Sequence, residues 1–202
     1  MGNNYLFVDG SCLLADIGRI KRSFKELNNK MLSVEKFYRH FIGRKYSQYI
    51  GEGYKRFTIY FVKNEDRVKD LLIMPNFKSP NQIEDLHIKY CGKKVSRSTN
   101  VEAWIEKTNP PPYIMERFNK SEKAVDTQIC CDALQLAAVN RLDRLFLYTN
   151  DYDFMPLIDV LKTLGVNITL IKLNSLPVNK ELVENCDSFC VPDKQELLTL
   201  FS

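Results

Sequence analysis

Leu145-Phe146-Leu147-Tyr148-Thr149-Asn150-Asp151-Tyr152-Asp153 is an apolar run of strand length that stops on two carboxylates. Four bulky apolar residues in succession suit a strand covered on both faces, as in a parallel sheet, rather than one with a wet side. The chain begins the same way: Tyr5-Leu6-Phe7-Val8 runs into Asp9, and Gly10-Ser11 turns towards a helix starting near Cys12 or Leu13. Phe57 to Val62 and Val166 to Leu173 read as further strands from their β-branched and aromatic content. Helical patterns run from Val34, with Ser33 as N-cap, towards Tyr49, from Asp126 to about Asn140, and from Phe154 to Leu164, closed by Gly165. A last helix, strand and helix fill roughly 178–201. This alternation predicts an α/β fold, a three-layer α/β/α sandwich with a mainly parallel central sheet.

The least regular stretch is 64–122. It offers a helix near 65–73, a strand near 86–91, a turn at Cys91-Gly92-Lys93-Lys94 and the run Pro110-Pro111-Pro112, which excludes a helix interior. It reads either as an insertion that meets substrate or as irregular packing within one domain spanning residues 1–202.

Length and composition narrow the function. A chain of 202 residues can bury one sizeable core. Without an apolar run of membrane-spanning length, and without a charged-then-apolar N-terminus, a cytoplasmic protein with no membrane partner is expected. Cys12, Cys91, Cys130, Cys131, Cys186 and Cys190 form no dense framework and read as reduced thiols. Two histidines, His40 and His87, give little material for a histidine-pair ribonuclease. There is neither a glycine-rich phosphate loop nor a Gly-x-Ser-x-Gly elbow.

The net charge of +4 is unevenly placed. Residues 1–122 carry 22 Lys and Arg against 14 Asp and Glu, whereas residues 123–202 carry 7 against 11. A basic half joined to an acidic one suits a polyanion-binding surface beside a cation-binding centre, although solvated basic helix faces would give the same count.

In an open α/β sheet, ligands bind at the carboxyl ends of the strands. Asp9 ends one predicted strand, Asp151 and Asp153 end another, and Asp126 opens the helix that precedes the second. Each alone reads as readily as a turn or helix cap. Together at one edge they form a carboxylate cluster that a hard cation, Mg2+ or Mn2+, would relieve of repulsion. Lys123 is either a solvated lysine or a phosphate contact. Thr149 either satisfies backbone or orients a water. Asp132, roughly 9 Å further along the helix from Asp126, either supports the cluster or faces solvent.

These segments resemble a known family. Val8-Asp9-Gly10-Ser11-Cys12-Leu13 resembles the first-strand motif of NYN domains, in particular the LabA/DUF88-like branch of the PIN-like nucleases. Lys123-Ala124-Val125-Asp126, followed by Asp132, resembles that family's Lys-Gly-Val-Asp motif and later helical Asp. Thr149-Asn150-Asp151-Tyr152-Asp153-Phe154-Met155-Pro156-Leu157 resembles its Ser-Gly-Asp-x-Asp-Phe-x-Pro-Leu motif. The resemblance implies a PIN-like sandwich that hydrolyses RNA at a Mg2+ or Mn2+ site. Asp9, Asp126, Asp151 and Asp153 would be the metal-binding, catalytic acids, with Lys123, Thr149, Asp132, Ser11 and Asn150 in support. Cys12 stands where the family often has Asn, and Ala124 and Asn150 each replace a Gly.

The expected function is therefore a metal-dependent ribonuclease acting on single-stranded or structured RNA, a homodimer being compatible with the sequence. The alternative is a catalytically weak or inactive RNA-binding or regulatory module of the same fold. A metal-dependent phosphatase or DNA nuclease would share the same edge.

Overall fold

In the computed structural model, the described residues are 3–44, 55–63, 65–75, 86–94, 107–108, 122–174 and 178–202. Strand β1 (Asn4–Asp9) leads straight into α1 (Gly10–Ser23). Then come β2 (Leu32–Ser33), α2 (Val34–Tyr38), β3 (Lys55–Lys63), α3 (Arg67–Leu71), β4 (Leu72–Ile73) and β5 (Leu86–Lys94). The second half supplies β6 (Glu122–Lys123), α4 (Val125–Ala138), β7 (Arg144–Tyr148), α5 (Met155–Thr163), β8 (Asn167–Ile171), α6 (Lys180–Asn185), β9 (Ser188–Cys190) and α7 (Lys194–Thr199).

The main sheet has the order β6-β5-β3-β1-β7-β8-β9. Every pairing in it is parallel except β5 with β6. Side chains alternate across it. Leu6, Val8, Phe57, Ile59 and Phe61 pack on one face with Leu13, Ile17 and Ile20 of α1. On the other face, Phe7, Tyr60, Leu145 and Leu147 pack with Ile129 and Ala133 of α4 and with Leu157, Ile158 and Leu161 of α5. Burial on both faces accounts for the unbroken apolar runs, and the predicted three-layer α/β/α sandwich is the fold.

From β1 the chain moves outward to β3 and β5, then returns to pair β7 on the opposite side of β1. The crevice between the carboxyl ends of β1 and β7 is thus the topological switch point of the sheet. That is where Asp9 and the residues after Tyr148 emerge.

Several local expectations need revision. Helix α1 starts at Gly10, earlier than predicted, because Asp9 itself is its N-cap. Ser33 caps α2 as expected, accepting from the Lys36 amide at 3.3 Å. That helix passes into a wider π-type turn at Arg39–Arg44, and its predicted end near Tyr49 lies outside the described residues. The predicted helix at 65–73 is shorter, because Leu72 and Ile73 leave it to pair with β2. The turn predicted at Cys91–Lys94 is strand instead. Gly92, at φ 69, absorbs an extra residue opposite Val62–Lys63, and Lys93 and Lys94 go on to pair with β6. A lone glycine in a strand marks a bulge as readily as a turn. Pro110 to Pro112 lie outside the described residues.

Candidate functional site

The site starts at the β1–α1 junction. A Cβ at Gly10 would sit 2.3 Å from Cδ1 of Phe61 and 2.4 Å from the Tyr60 carbonyl oxygen, so only glycine lets the helix begin against β3. This close junction holds Asp9 in the interior, at 4% exposure. Its Oδ1 accepts from the Ser11 amide at 2.9 Å, the Ser11 hydroxyl at 2.8 Å and the Cys12 amide at 3.2 Å. Its Oδ2 meets only the Thr149 hydroxyl, at 3.5 Å, among the described residues. Burial pushes the Asp9 pKa up from the ordinary carboxylate value. The Ser11 and Cys12 hydrogen bonds pull against that shift, and the charge of Asp151 adds to it.

Thr149 joins the two acids. It is fully buried at the end of β7, and its hydroxyl oxygen accepts the Asp151 amide at 3.1 Å while facing Asp9. Asp151 is exposed, and its Oδ1 accepts the Asp153 amide at 3.0 Å, closing the 3-10 turn Tyr152–Phe154. Asp153 is exposed in that turn. Asn150 Oδ1 accepts the Asn179 amide at 2.8 Å, tying this loop to the start of α6. Its backbone is not left-handed, so Asn in place of Gly brings no strain there.

The gathering is narrower than the four-acid cluster expected from the sequence. Among the described residues, no three His, Cys, Asp or Glu side chains are placed to hold one metal ion together. Asp126 is half-buried in the first turn of α4; burial raises the pKa values of Cys91 on β5 and Cys130 on its own helix, and the Asp126 charge adds to both. Asp151 carries out the capping role at this turn, and Asp153 supplies the amide that it accepts. Lys123 lies in β6, but its side chain is outside the described residues. Asp132 has a separate role: it accepts from Lys89 at 2.7 Å, Tyr60 at 2.8 Å and Gln128 at 2.8 Å, fastening α4 to β3 and β5.

Sequence reading missed a buried ionic network directly beneath Asp9. Lys172, with no exposed surface, lies 2.6 Å from Asp16 Oδ2 and donates to Cys12 Sγ at 3.1 Å. Asp16 also accepts from the Tyr148 hydroxyl at 2.7 Å and from Arg19 at 3.0 Å. Burial pushes the Cys12 thiol up to about 12, so it is a neutral packing group and a poor nucleophile. The signal was present in the sequence. Asp16 interrupts the apolar stripe Leu13-Ile17-Ile20, and Lys172 follows the apolar run Ile168–Ile171; each charge needs the other.

A hard divalent cation fits the arrangement in a limited form. Asp9 keeps one oxygen nearly uncommitted in a buried setting, with the second carboxylate of Asp151 close enough to disfavour its ionisation. Mg2+ characteristically retains several waters and needs only one or two protein carboxylates.

The family model of the NYN domain matches residues 5–194 of the chain. The chain is also similar to a solved structure of a protein of unknown function from Vibrio parahaemolyticus. The two share 13% identity and a TM-score of 0.52 over 95% of this chain and 93% of that one. That likeness is one of fold. No curated protein matches the chain.

Proposed function

The chain belongs to the NYN domain family of PIN-like nucleases, and from that premise we propose that it is a metal-dependent endoribonuclease of the LabA/DUF88-like branch, acting in the cytoplasm. The observation that carries this reading is the buried Asp9 at the switch point, its Oδ2 facing Thr149 and its ionisation opposed by Asp151. A buried carboxylate paired with another carboxylate, rather than with a cation from the chain, is a site that asks for one.

Asp9 and Asp151 would hold the Mg2+ or Mn2+, with Asp126 and Asp153 contributing through water or on substrate binding. The ion would supply Lewis acidity, activating water and neutralising charge on the phosphodiester. Ser11 and the Cys12 amide keep the Asp9 carboxylate in one orientation. Thr149 keeps the Asp151 loop in register with it. Lys123 would meet a substrate phosphate as a point charge, and the basic N-terminal half would add salt-sensitive backbone contacts. No helix among the described residues is long and apolar enough to cross a membrane.

A second reading, an RNA-binding or regulatory module without hydrolysis, draws on one observation. The Cys12 side chain is turned onto Lys172, so only its backbone addresses the Asp9 carboxylate. One assay separates the readings: cleavage of single-stranded and structured RNA with Mg2+ or Mn2+, wild type against Asp151→Asn. Hydrolysis that needs the metal and falls at least roughly 100-fold in the variant supports the enzyme. Binding without cleavage in either protein supports the module.

A further inference from the structure

A second concavity, of about 510 Å3, opens on the same edge of the sheet, formed by Lys63 at the end of β3, residues around the start of α3 and Tyr90 of β5. Tyr90 is 48% exposed although it lies within a strand. Its ring rests beside the buried Phe61 ring, centroids 5.9 Å apart and planes 31° from parallel. Phe61 is the same ring against which Gly10 closes. By register Asp9 is level with Tyr60, and Tyr90 is level with Phe61. Between Cα positions, Tyr90 is therefore one residue beyond Asp9 along the sheet and two strands across it, about 10 Å, and its ring lies on the α1 face with Phe61.

The charges around that ring are unevenly answered. Glu65 is buried and taken up on both oxygens by Arg67, at 2.8 and 2.9 Å. Asp66 is exposed at the rim. Lys63 and Lys69 are exposed and make no ion pair among the described residues. An aromatic face left in water, backed by a second ring and flanked by lysines, can stack an unpaired base and hold the adjoining phosphate.

We infer that this concavity seats a nucleotide next to the scissile phosphate of a single RNA strand, Tyr90 stacking its base while Lys63 and Lys69 take its phosphate. The inference rests on the ribonuclease reading and adds a subsite to it. A base inside a duplex has no free face to offer Tyr90, so the strand is unpaired at this position.

The test uses the full chain carrying Asp151→Asn as parent, a labelled single-stranded RNA of about 12 nucleotides and fluorescence anisotropy at several salt concentrations. Tyr90→Ala is expected to weaken binding about tenfold, whereas Tyr90→Phe, which keeps the stacking face, binds like the parent. Replacing Lys63 and Lys69 together by Ala flattens the slope of log affinity against log salt by about 0.7, the share of one phosphate. A blunt-ended duplex of two complementary RNA strands is insensitive to Tyr90→Ala. If the parent binds single strands and none of these substitutions changes affinity or slope, the seat is overturned and the nuclease reading stands. If the parent binds no RNA at all, both fall together.

Discussion

Asp9 and Asp16 lie seven residues apart, one at the mouth of α1 and one two turns down the same helix, and both are almost fully buried, at 4% and 1% exposure. Their surroundings differ in kind. Asp16 is met by two cations and a phenol: Lys172 at 2.6 Å, Arg19 at 3.0 Å and Tyr148 at 2.7 Å. Among the described residues, Asp9 receives two amides and two hydroxyls, and the charge that acts on it is that of another carboxylate, Asp151. A charge answered from within the chain fastens parts of the fold together. A charge left half-answered at the switch point is available to something the chain does not supply. Under the proposed function, the difference between these two acids separates architecture from function more sharply than burial or residue type does.

The strongest way to break that contrast is to open the closed site. Lys172→Met removes a cation of nearly the same length and leaves Asp16 with Arg19 and Tyr148 alone. Losing one partner of a buried pair costs about 3–5 kcal/mol, while replacing both by apolar groups is far milder. Urea unfolding should therefore show a large drop in midpoint for Lys172→Met and substantial recovery when Asp16→Leu is added. A drop below about 1 kcal/mol would mean that the Asp16 site is no better closed than a surface pair.

The converse experiment neutralises the open site. Asn caps a helix about as well as Asp, so Asp9→Asn keeps the Ser11 and Cys12 contacts and removes the charge. Burial raises the Asp9 pKa above its unfolded value of 3.8. The protonated carboxyl therefore contributes its full stability below that unfolded value, and the contribution is lost as pH rises through the folded pKa. With a chelator present, Asp9→Asn should melt about 2–4 °C above wild type near neutral pH, the equivalent of about 1 kcal/mol in a domain of this size. The gap should close as pH approaches 4. A variant that melts lower than wild type at neutral pH would show that Asp9 serves the fold as Asp16 does.

The frame was legible in the sequence because it rests on local patterns. Unbroken apolar runs at Tyr5–Val8 and Leu145–Tyr148 suited strands covered on both sides, and the acids ending them emerge at one edge because β1 and β7 pair in parallel. Ser33 and Gly165 punctuated their helices as such residues do. What stayed hidden depends on partners far apart in the chain. Lys172 and Asp16 are separated by 156 positions, and neither shows its meaning without the other. Tyr90 looked like any strand aromatic until the sheet placed it beside Phe61 on the working edge. Asp132 was read with the acids because it shares a helix with Asp126, whereas its Lys89 and Tyr60 partners come from strands on the far side of β1 from β7.

The smallest effect bears on whether the open edge holds backbone strain as well as charge. Ala124, immediately before α4 and two residues before Asp126, has φ 81 and ψ −3, a left-handed conformation that costs an L-residue roughly 1–2 kcal/mol. In the Lys-Gly-Val-Asp motif that this segment resembles, glycine would occupy the position without penalty. Asn150, the other place where glycine is replaced, has no such conformation. Ala124→Gly should therefore stabilise the protein, while the greater freedom glycine has in the unfolded chain takes back part of the gain, leaving about 0.5–1 kcal/mol. Asn150→Gly has no strain to relieve and loses the tie to the Asn179 amide, so it should destabilise. Opposite signs for these two substitutions in one set of melting curves would locate the strain at the Asp126 turn. Loss of stability in both would mean that alanine there is relaxed, leaving unanswered charge as the feature that sets the rim apart from the core.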